Sequence, residues 1–440
     1  MADRAIRGRV LTFRRAPAGA GDAGSYDFLP DGIVLVKDGR VEAVGPTASL
    51  LPRLGGAPVD HFPDKLILPG FIDTHIHFPQ TQVIASYGAQ LLEWLEKYTF
   101  VEEQKYADAG HAARNAEFFL DELARCGTTT ACCYGSVHAT SVEALFAAAE
   151  KRGASMIAGT AIMDRNGPQA LLDVGKDSVA ASRDLIKRWH GKGRQRYAVT
   201  PRFAITSTEA QLAACGALLH EFSGVYMQTH LAENPEEIAT TRRLFPNDPS
   251  YTSVYARAGL LGPRALLGHC IHLDDSEVAL LRDTQSVAVF CPTSNLFIGS
   301  GLFDHARLAA NGVRIALATD VGGGTSYSML QTAAEAYKVM QLKGQTLSAL
   351  AAFDLMTRGN AAALGLEAEI GTLAPGSYAD LVVLDSRATP AMAHRMETAR
   401  GLEEELFVLM TLGDDRAVTQ TYIKGKAALI PRRGLPPATP

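Results

Sequence analysis

Five residues that can bind or serve a metal ion, His75, His77, His230, His269 and Asp320, close apolar, strand-like runs of this 440-residue chain. His75 and His77 share one run, Leu66 to His77, and at the two-residue repeat of a strand their imidazoles project from one face. Two imidazoles so placed can chelate one ion. Histidines scattered through a core have no reason to gather at the downstream ends of strands. The pattern therefore predicts a single metal site assembled from distant segments.

Three imidazoles and a carboxylate, His75, His77, His230 and Asp320, form a borderline ligand set suited to Zn2+, with Fe2+ or Mn2+ as alternatives. No lysine closes the fourth strand-like run, where a carboxylated lysine could bridge two metals, so the expected count is one ion per chain. A catalytic ion keeps a position for water and lowers its pKa to about 7, which makes a nucleophile at neutral pH. Glu233 stands three residues beyond His230, close enough to share a pocket without taking the ion. It is the leading general acid/base; the competing reading is a solvated loop carboxylate like Glu236 or Glu237.

His269 fits three roles, as a ligand, as an electrostatic stabiliser of the attacking hydroxide or as a core histidine, and its place at a strand end favours the second. Asp320 opens the segment Asp320-Val321-Gly322-Gly323-Gly324-Thr325-Ser326. No Gly-Lys-Ser/Thr follows, so the glycines fit a close backbone turn beside the metal better than a phosphate loop. His138 follows the second run by a few residues, and its role stays open. Cys291 directly follows the seventh run, where core packing is favoured over a place at the site mouth.

The elements that must position these residues alternate in type. Strand-like runs are Leu66 to His75, Thr128 to Tyr134, Met156 to Ile162, Tyr197 to Arg202, Val225 to His230, Ala265 to His269, Val287 to Phe290 and Val313 to Thr319. Helical segments such as Glu143 to Lys151 and Ser328 to Leu342 follow several of them, the mark of βα units and a parallel sheet. Eight units over about 250 residues match the size of a (β/α)8 barrel. Periodicity alone also admits a doubly wound open sheet, which would spread the site residues along a line. A closed barrel makes His75, His77, Arg202, His230, His269 and Asp320 converge at one mouth, so the expected fold class is α/β with a (β/α)8 barrel.

Both chain ends have a different texture. Ala5 to Phe13, Ile33 to Val36 and Val41 to Val44 surround an Asp38-Gly39 turn, and Ala379 to Leu384, Val418 to Ile423 and Ala427 to Ile430 surround a Lys424-Gly425 turn. Neither end holds enough apolar residues for its own core. The two are expected to form one small β-sandwich, residues 1–65 plus 371–440, beside a catalytic barrel over residues 66–370.

With 42 basic against 47 acidic residues, the formal net charge is −5. No basic tract is present to recruit nucleic acid or anionic lipid. No apolar run is long enough to span a bilayer, and Met1-Ala2-Asp3-Arg4 does not open a signal peptide, so a cytoplasmic location is expected. The six cysteines, at 126, 132, 133, 215, 270 and 291, form no CxxC pair and are expected to be reduced thiols.

The segments Pro69 to His77, Thr229 to Glu233, Gly268-His269 and Ala318 to Asp320 resemble the amidohydrolase superfamily over nearly the whole chain. Phe78-Pro79-Gln80 and the run Leu91 to Phe100 are similar to the branch of that superfamily that deaminates guanine. The resemblance implies zinc on His75, His77, His230 and Asp320, and catalysis by Glu233, His269 and Asp320. It implies purine contacts from Gln80, Arg202 and Phe203, beside His230 and Glu233, and a homodimer. The implied reaction is hydrolysis of guanine at C2 by a metal-activated water, giving xanthine and ammonia. Val101 is a departure, since relatives often carry proline there; it touches only the stiffness of a loop.

Residue chemistry gives those contacts a purpose. An amide with donor and acceptor (Gln80), a forked donor for a carbonyl oxygen (Arg202) and an aromatic face (Phe203) complement guanine, whereas adenine lacks the carbonyl. On residue type alone Arg202 also reads as a structural ion pair and Phe203 as barrel packing. A second enzyme reading keeps the metal and changes the substrate to another aminopurine, a pterin or a triazine. A non-catalytic scaffold is disfavoured because the ligand set and the acid/base are complete. Deaminases that edit flipped nucleobases use His-x-Glu with Pro-Cys-x-x-Cys, absent here, which argues against nucleic acid as a partner.

Overall fold

Short runs of β-branched and small apolar residues become the parallel strands of a barrel in the computed structural model, which describes residues 2–88, 90–172 and 177–428. In chain order the strands are Phe71–His77, Thr128–Tyr134, Ser155–Gly159, Arg196–Pro201, Tyr226–Leu231, Ala265–His269, Val287–Phe290 and Arg314–Leu317. Each pairs with its neighbours in sequence, and Ala161–Ile162 extends the third strand's pairing along Thr200 and Pro201. The first and last strands meet: Asp320 N donates to His75 O at 2.9 Å, and His77 N donates to Val321 O at 2.6 Å. These bonds close the barrel at the level of the candidate ligands, which the open sheet would have kept apart.

Helices cover the outside of the barrel, so its strands are buried on both faces, and that is why they read as nearly continuous apolar runs. Ile72, Cys132, Ile157, Ala198, Leu266, Val289 and Cys291 are buried together in one cluster. The helix Ala139–Arg152 returns the chain after the second strand. It carries Lys151 and Arg152 in its last turn and ends on Gly153 at φ 71, the left-handed stop that glycine adopts without strain.

One expectation needs correction. The run that starts at Leu66 is not a single barrel strand: Val59–Pro69 belongs to another sheet, where Leu66 pairs with Leu384 and Pro69 with Leu381. The barrel strand starts at Phe71. Between them Gly70 lies so close to the second strand that a Cβ would stand 2.3 Å from Thr129 Oγ1, so only glycine lets the chain pass. A continuous apolar run carries no sign of this change of partner.

The second sheet contains both ends of the described chain, in the order Lys426–Ala427, Val418–Ile423, Leu381–Leu384, Val59–Pro69, Arg4–Phe13, Tyr26–Lys37, Arg40–Pro46. It curls until Val36 and Val41 from one end share a core with Leu381 and Tyr422 from the other. Both expected turns adopt left-handed geometry at two successive residues, Asp38 and Gly39 at φ 52 and 76, Lys424 and Gly425 at φ 50 and 71. Positions 429 and 430 of the last expected strand lie outside the described residues. We propose the division into residues 1–65 plus 371–440 and residues 66–370 as structural units. Val59–Pro69 crosses its first boundary, and the helix Gly401–Leu412 of the later segment packs on the helices Met329–Leu342 and Ala349–Asp354.

Candidate active site

The downstream ends of the first, fifth, sixth and eighth barrel strands bring His75, His77, His230, His269 and Asp320 together. Asp320 Oδ1 lies 3.3 Å from His75 Nε2 and 3.2 Å from His77 Nε2, and His77 Nε2 lies 3.2 Å from His230 Nε2. A tetrahedral ion with bonds of about 2.0 Å needs donor atoms about 3.3 Å apart. His75 is fully buried, and neither of its ring nitrogens makes a hydrogen bond of acceptable geometry within the protein. Such an orphaned polar group, beside donors at that spacing, fits a cation.

Protonation states agree with that fit. Burial lowers the His75 pKa to about 4, and burial followed by the neighbouring imidazoles holds His230 well below the usual histidine range. Burial opposes the charge on Asp320, but His75 and His77 hold its carboxyl well below the usual carboxylate range. Neutral imidazoles and an ionised carboxylate are the forms that bind a metal. His230 Nδ1 is 2.7 Å from Arg202 O; a carbonyl only accepts, so Nδ1 carries the proton and Nε2 keeps its lone pair for the cluster.

The backbone at these strand ends takes a conformation that side chains disfavour. Ala232, His269 and Asp320 have φ of 51, 74 and 53. Residues held this way outside glycine persist where the surroundings fix them, commonly at functional sites.

Glu233 is buried beside the cluster. Its Oε1 accepts from Ser300 Oγ at 2.8 Å, and its Oε2 lies 3.3 Å from His269 Nε2. Burial pushes the Glu233 carboxyl up, with His269 opposing. Burial also opposes charge on His269, but Glu233 and Asp320 together raise it, while Asn295 Oδ1 sits 2.9 Å from Nδ1. Acid and imidazole thus face each other next to the ligand set. His269 remains near enough to ligate, since donor atoms of His75, His230 and His269 all lie within 4.8 Å of one another.

Glu237 is not a solvated loop acid. Asn234 caps the helix Pro235–Leu244, and Glu237 at its third position turns inward to complete the capping box. There it accepts from Glu233 N at 2.7 Å, Asn234 N at 3.1 Å and Tyr251 Oη at 2.7 Å. Glu236, one residue earlier, is exposed and bonds Gln90.

A small cavity opens over the cluster, bordered by His77, Gln80, Arg202, Phe203, His230, Glu233, His269 and Asp320. Trp94, Leu91 and Leu95 cover it from the segment after the first strand. Phe203 stands edge-on to His230, with ring centroids 6.3 Å apart. Arg202 also forms the ion pair that its residue type allowed: Nη1 donates to Glu103 Oε2 at 2.7 Å. Gln80 donates from Nε2 to Glu103 Oε1 at 3.0 Å and accepts from Gly322 N at 3.2 Å.

Cys291 lies at the barrel interior within 4.8 Å of the donor atoms of His75 and Asp320, and burial keeps its thiol protonated. His138 begins the helix after the second strand and lines a separate cavity with Val137 and Met163. Sequence reasoning missed Glu103, Ser300 and Asn295, and gave Trp94 no role beyond its place in the run Leu91 to Phe100.

Fold and site together define a metal-dependent hydrolase, and the chain belongs to the amidohydrolase family, whose model matches residues 66–428. Its relatives include the guanine deaminase of Escherichia coli (strain K12), 44% identical over 425 residues, covering 96% of this chain and 97% of that protein. The solved E. coli structure superposes with a TM-score of 0.94, over 96% of this chain and 99% of its own. The guanine deaminase of Bradyrhizobium japonicum is 35% identical with a TM-score of 0.93, covering 97% and 99%. That of C. acetobutylicum, solved with guanine bound in the active site, is 25% identical with a TM-score of 0.87, covering 96% and 99%.

Proposed function

We propose that this chain hydrolyses guanine, consuming one water, to xanthine and ammonia. The observation that carries the reading is that one cavity is lined at once by His77, His230 and Asp320 of the ligand set, by Glu233 and by Arg202. Its relatives named as guanine deaminases support the same substrate. The donors fit one divalent cation, which we assign as zinc on His75, His77, His230 and Asp320, and such an ion supplies a water of lowered pKa.

The chain's own groups then have distinct tasks. Arg202 donates to the carbonyl oxygen at position 6, Gln80 meets the hydrogen-bonding edge, and Phe203 packs against the purine beside His230 and Glu233. As the water oxygen adds to C2, Glu233 gives a proton to the neighbouring ring nitrogen. Asp320 and Glu233 pass the proton of the new C2 hydroxyl to the amine, which leaves as ammonia when the C2–N bond breaks and the C2 carbonyl forms. His269 stabilises the charge that develops between them.

Among the described residues no helix is long and apolar enough to cross a membrane. We extend the proposal to a cytoplasmic homodimer acting in purine catabolism, on the strength of the family resemblance.

Purified protein incubated with guanine should form xanthine and ammonia in equal amounts. No product from guanine, with turnover of another aminopurine, a pterin or a triazine, would move the assignment to that amine.

A further inference from the structure

We propose that Glu103 is a positioning residue that sets recognition of the purine carbonyl by holding Arg202 and Gln80 at the same time; the inference rests on the reading of the site as one that deaminates guanine. Glu103 is buried, at the end of the short helix Phe100–Glu103 that follows the segment covering the cavity. Its two oxygens take different donors, Oε2 from Arg202 Nη1 at 2.7 Å and Oε1 from Gln80 Nε2 at 3.0 Å. Gln80 Oε1 in turn accepts from Gly322 N at 3.2 Å. A chain of three hydrogen bonds therefore crosses the site, from the loop after the eighth strand to the end of the fourth.

Two consequences follow from donor and acceptor chemistry. The Gln80 amide cannot flip, because its nitrogen faces a carboxylate and its oxygen faces an N–H. Arg202, stacked 5.1 Å over the Phe100 ring, meets substrate as half of a neutral pair, which suits an uncharged carbonyl better than an anion. Only a carboxylate can serve both donors. An amide at position 103 offers one oxygen, so either Arg202 or Gln80 would face an NH2 group and turn away.

The test is Glu103→Gln, compared with the parent on guanine and on 2-aminopurine, which keeps the C2 amine and lacks the carbonyl. Guanine kcat/KM should fall at least about tenfold, the scale of one charge-assisted hydrogen bond, with a smaller fall for 2-aminopurine and unchanged metal content. In an Arg202→Ala background Glu103→Gln should add little to the loss on guanine, because with the guanidinium gone the one amide oxygen left at position 103 is free to keep accepting from Gln80. Glu103→Asp keeps both acceptors and should recover part of the discrimination; it carries the same comparison where Glu103→Gln fails to fold. Equal losses on both substrates, or additive losses with Arg202→Ala, would overturn the role. A parent enzyme inactive on guanine would instead sink the functional reading, whatever Glu103 does.

Discussion

His75 occupies the space that any side chain at Gly268 would fill. A Cβ there would lie 2.6 Å from His75 Cε1 and 2.9 Å from Nδ1, closer than real Cβ contacts come. The sixth strand thus passes bare beside the first so that a fully buried imidazole can reach the cluster, and glycine is required here by space and not by backbone angle.

Gly268→Ala should displace the ring. Overpacking of this kind costs about 1–3 kcal/mol, and the displaced nitrogen should weaken metal binding as well. Thermal unfolding and metal analysis would check both, and a variant with wild-type metal content and melting would show that the ring has room to move.

Glu233→Gln preserves shape and removes the titrating proton. Turnover of guanine should fall by at least about 10²-fold, the usual scale of general acid/base catalysis, while bound metal stays constant. Near-normal turnover would assign the proton transfers elsewhere, and lost metal would make Glu233 part of the metal site.

The barrel and its proposed ligands were legible because strand-end histidines and alternating βα texture depend only on local pattern. Gly70 was not, since the apolar run Leu66 to His77 reads the same whether it stays in one sheet or changes partner. Glu237 and Glu103 were read past for a shared reason: each follows another glutamate on a helix, and only tertiary contacts with Tyr251 or Arg202 decide which of the two joins the site. The left-handed backbone at Ala232, His269 and Asp320 leaves no trace in residue type, because the chain does not place glycine there.

Glu237 should make stability depend on pH. Burial pushes its carboxyl up to about 7, with the Glu233 charge adding, from an ordinary value of 4.5. Between those values the folded protein holds a proton that the unfolded chain has released, so this contribution is full below 4.5 and is lost as pH rises through about 7. Glu237→Gln is neutral throughout. Denaturant unfolding from about pH 5 to about pH 8 should therefore show a smaller decline for the variant than for the parent, and equal declines would contradict the raised value.

Arg202→Ala should injure turnover of guanine far more than turnover of 2-aminopurine. A buried donor left without its carbonyl acceptor costs about 1–3 kcal/mol, which the parent would suffer with 2-aminopurine and the variant would not. Steady-state kcat/KM for both substrates gives the comparison; equal damage would make Arg202 a structural partner of Glu103 and nothing more.

Guanine turnover recorded together with metal content tests the proposed chemistry most directly. Activity should rise with bound ion up to one per chain, vanish on chelation and return on adding zinc, and His77→Ala should lose metal and turnover together. Full conversion of guanine to xanthine by metal-stripped protein, or a His77→Ala variant that keeps both its ion and its activity, would contradict it.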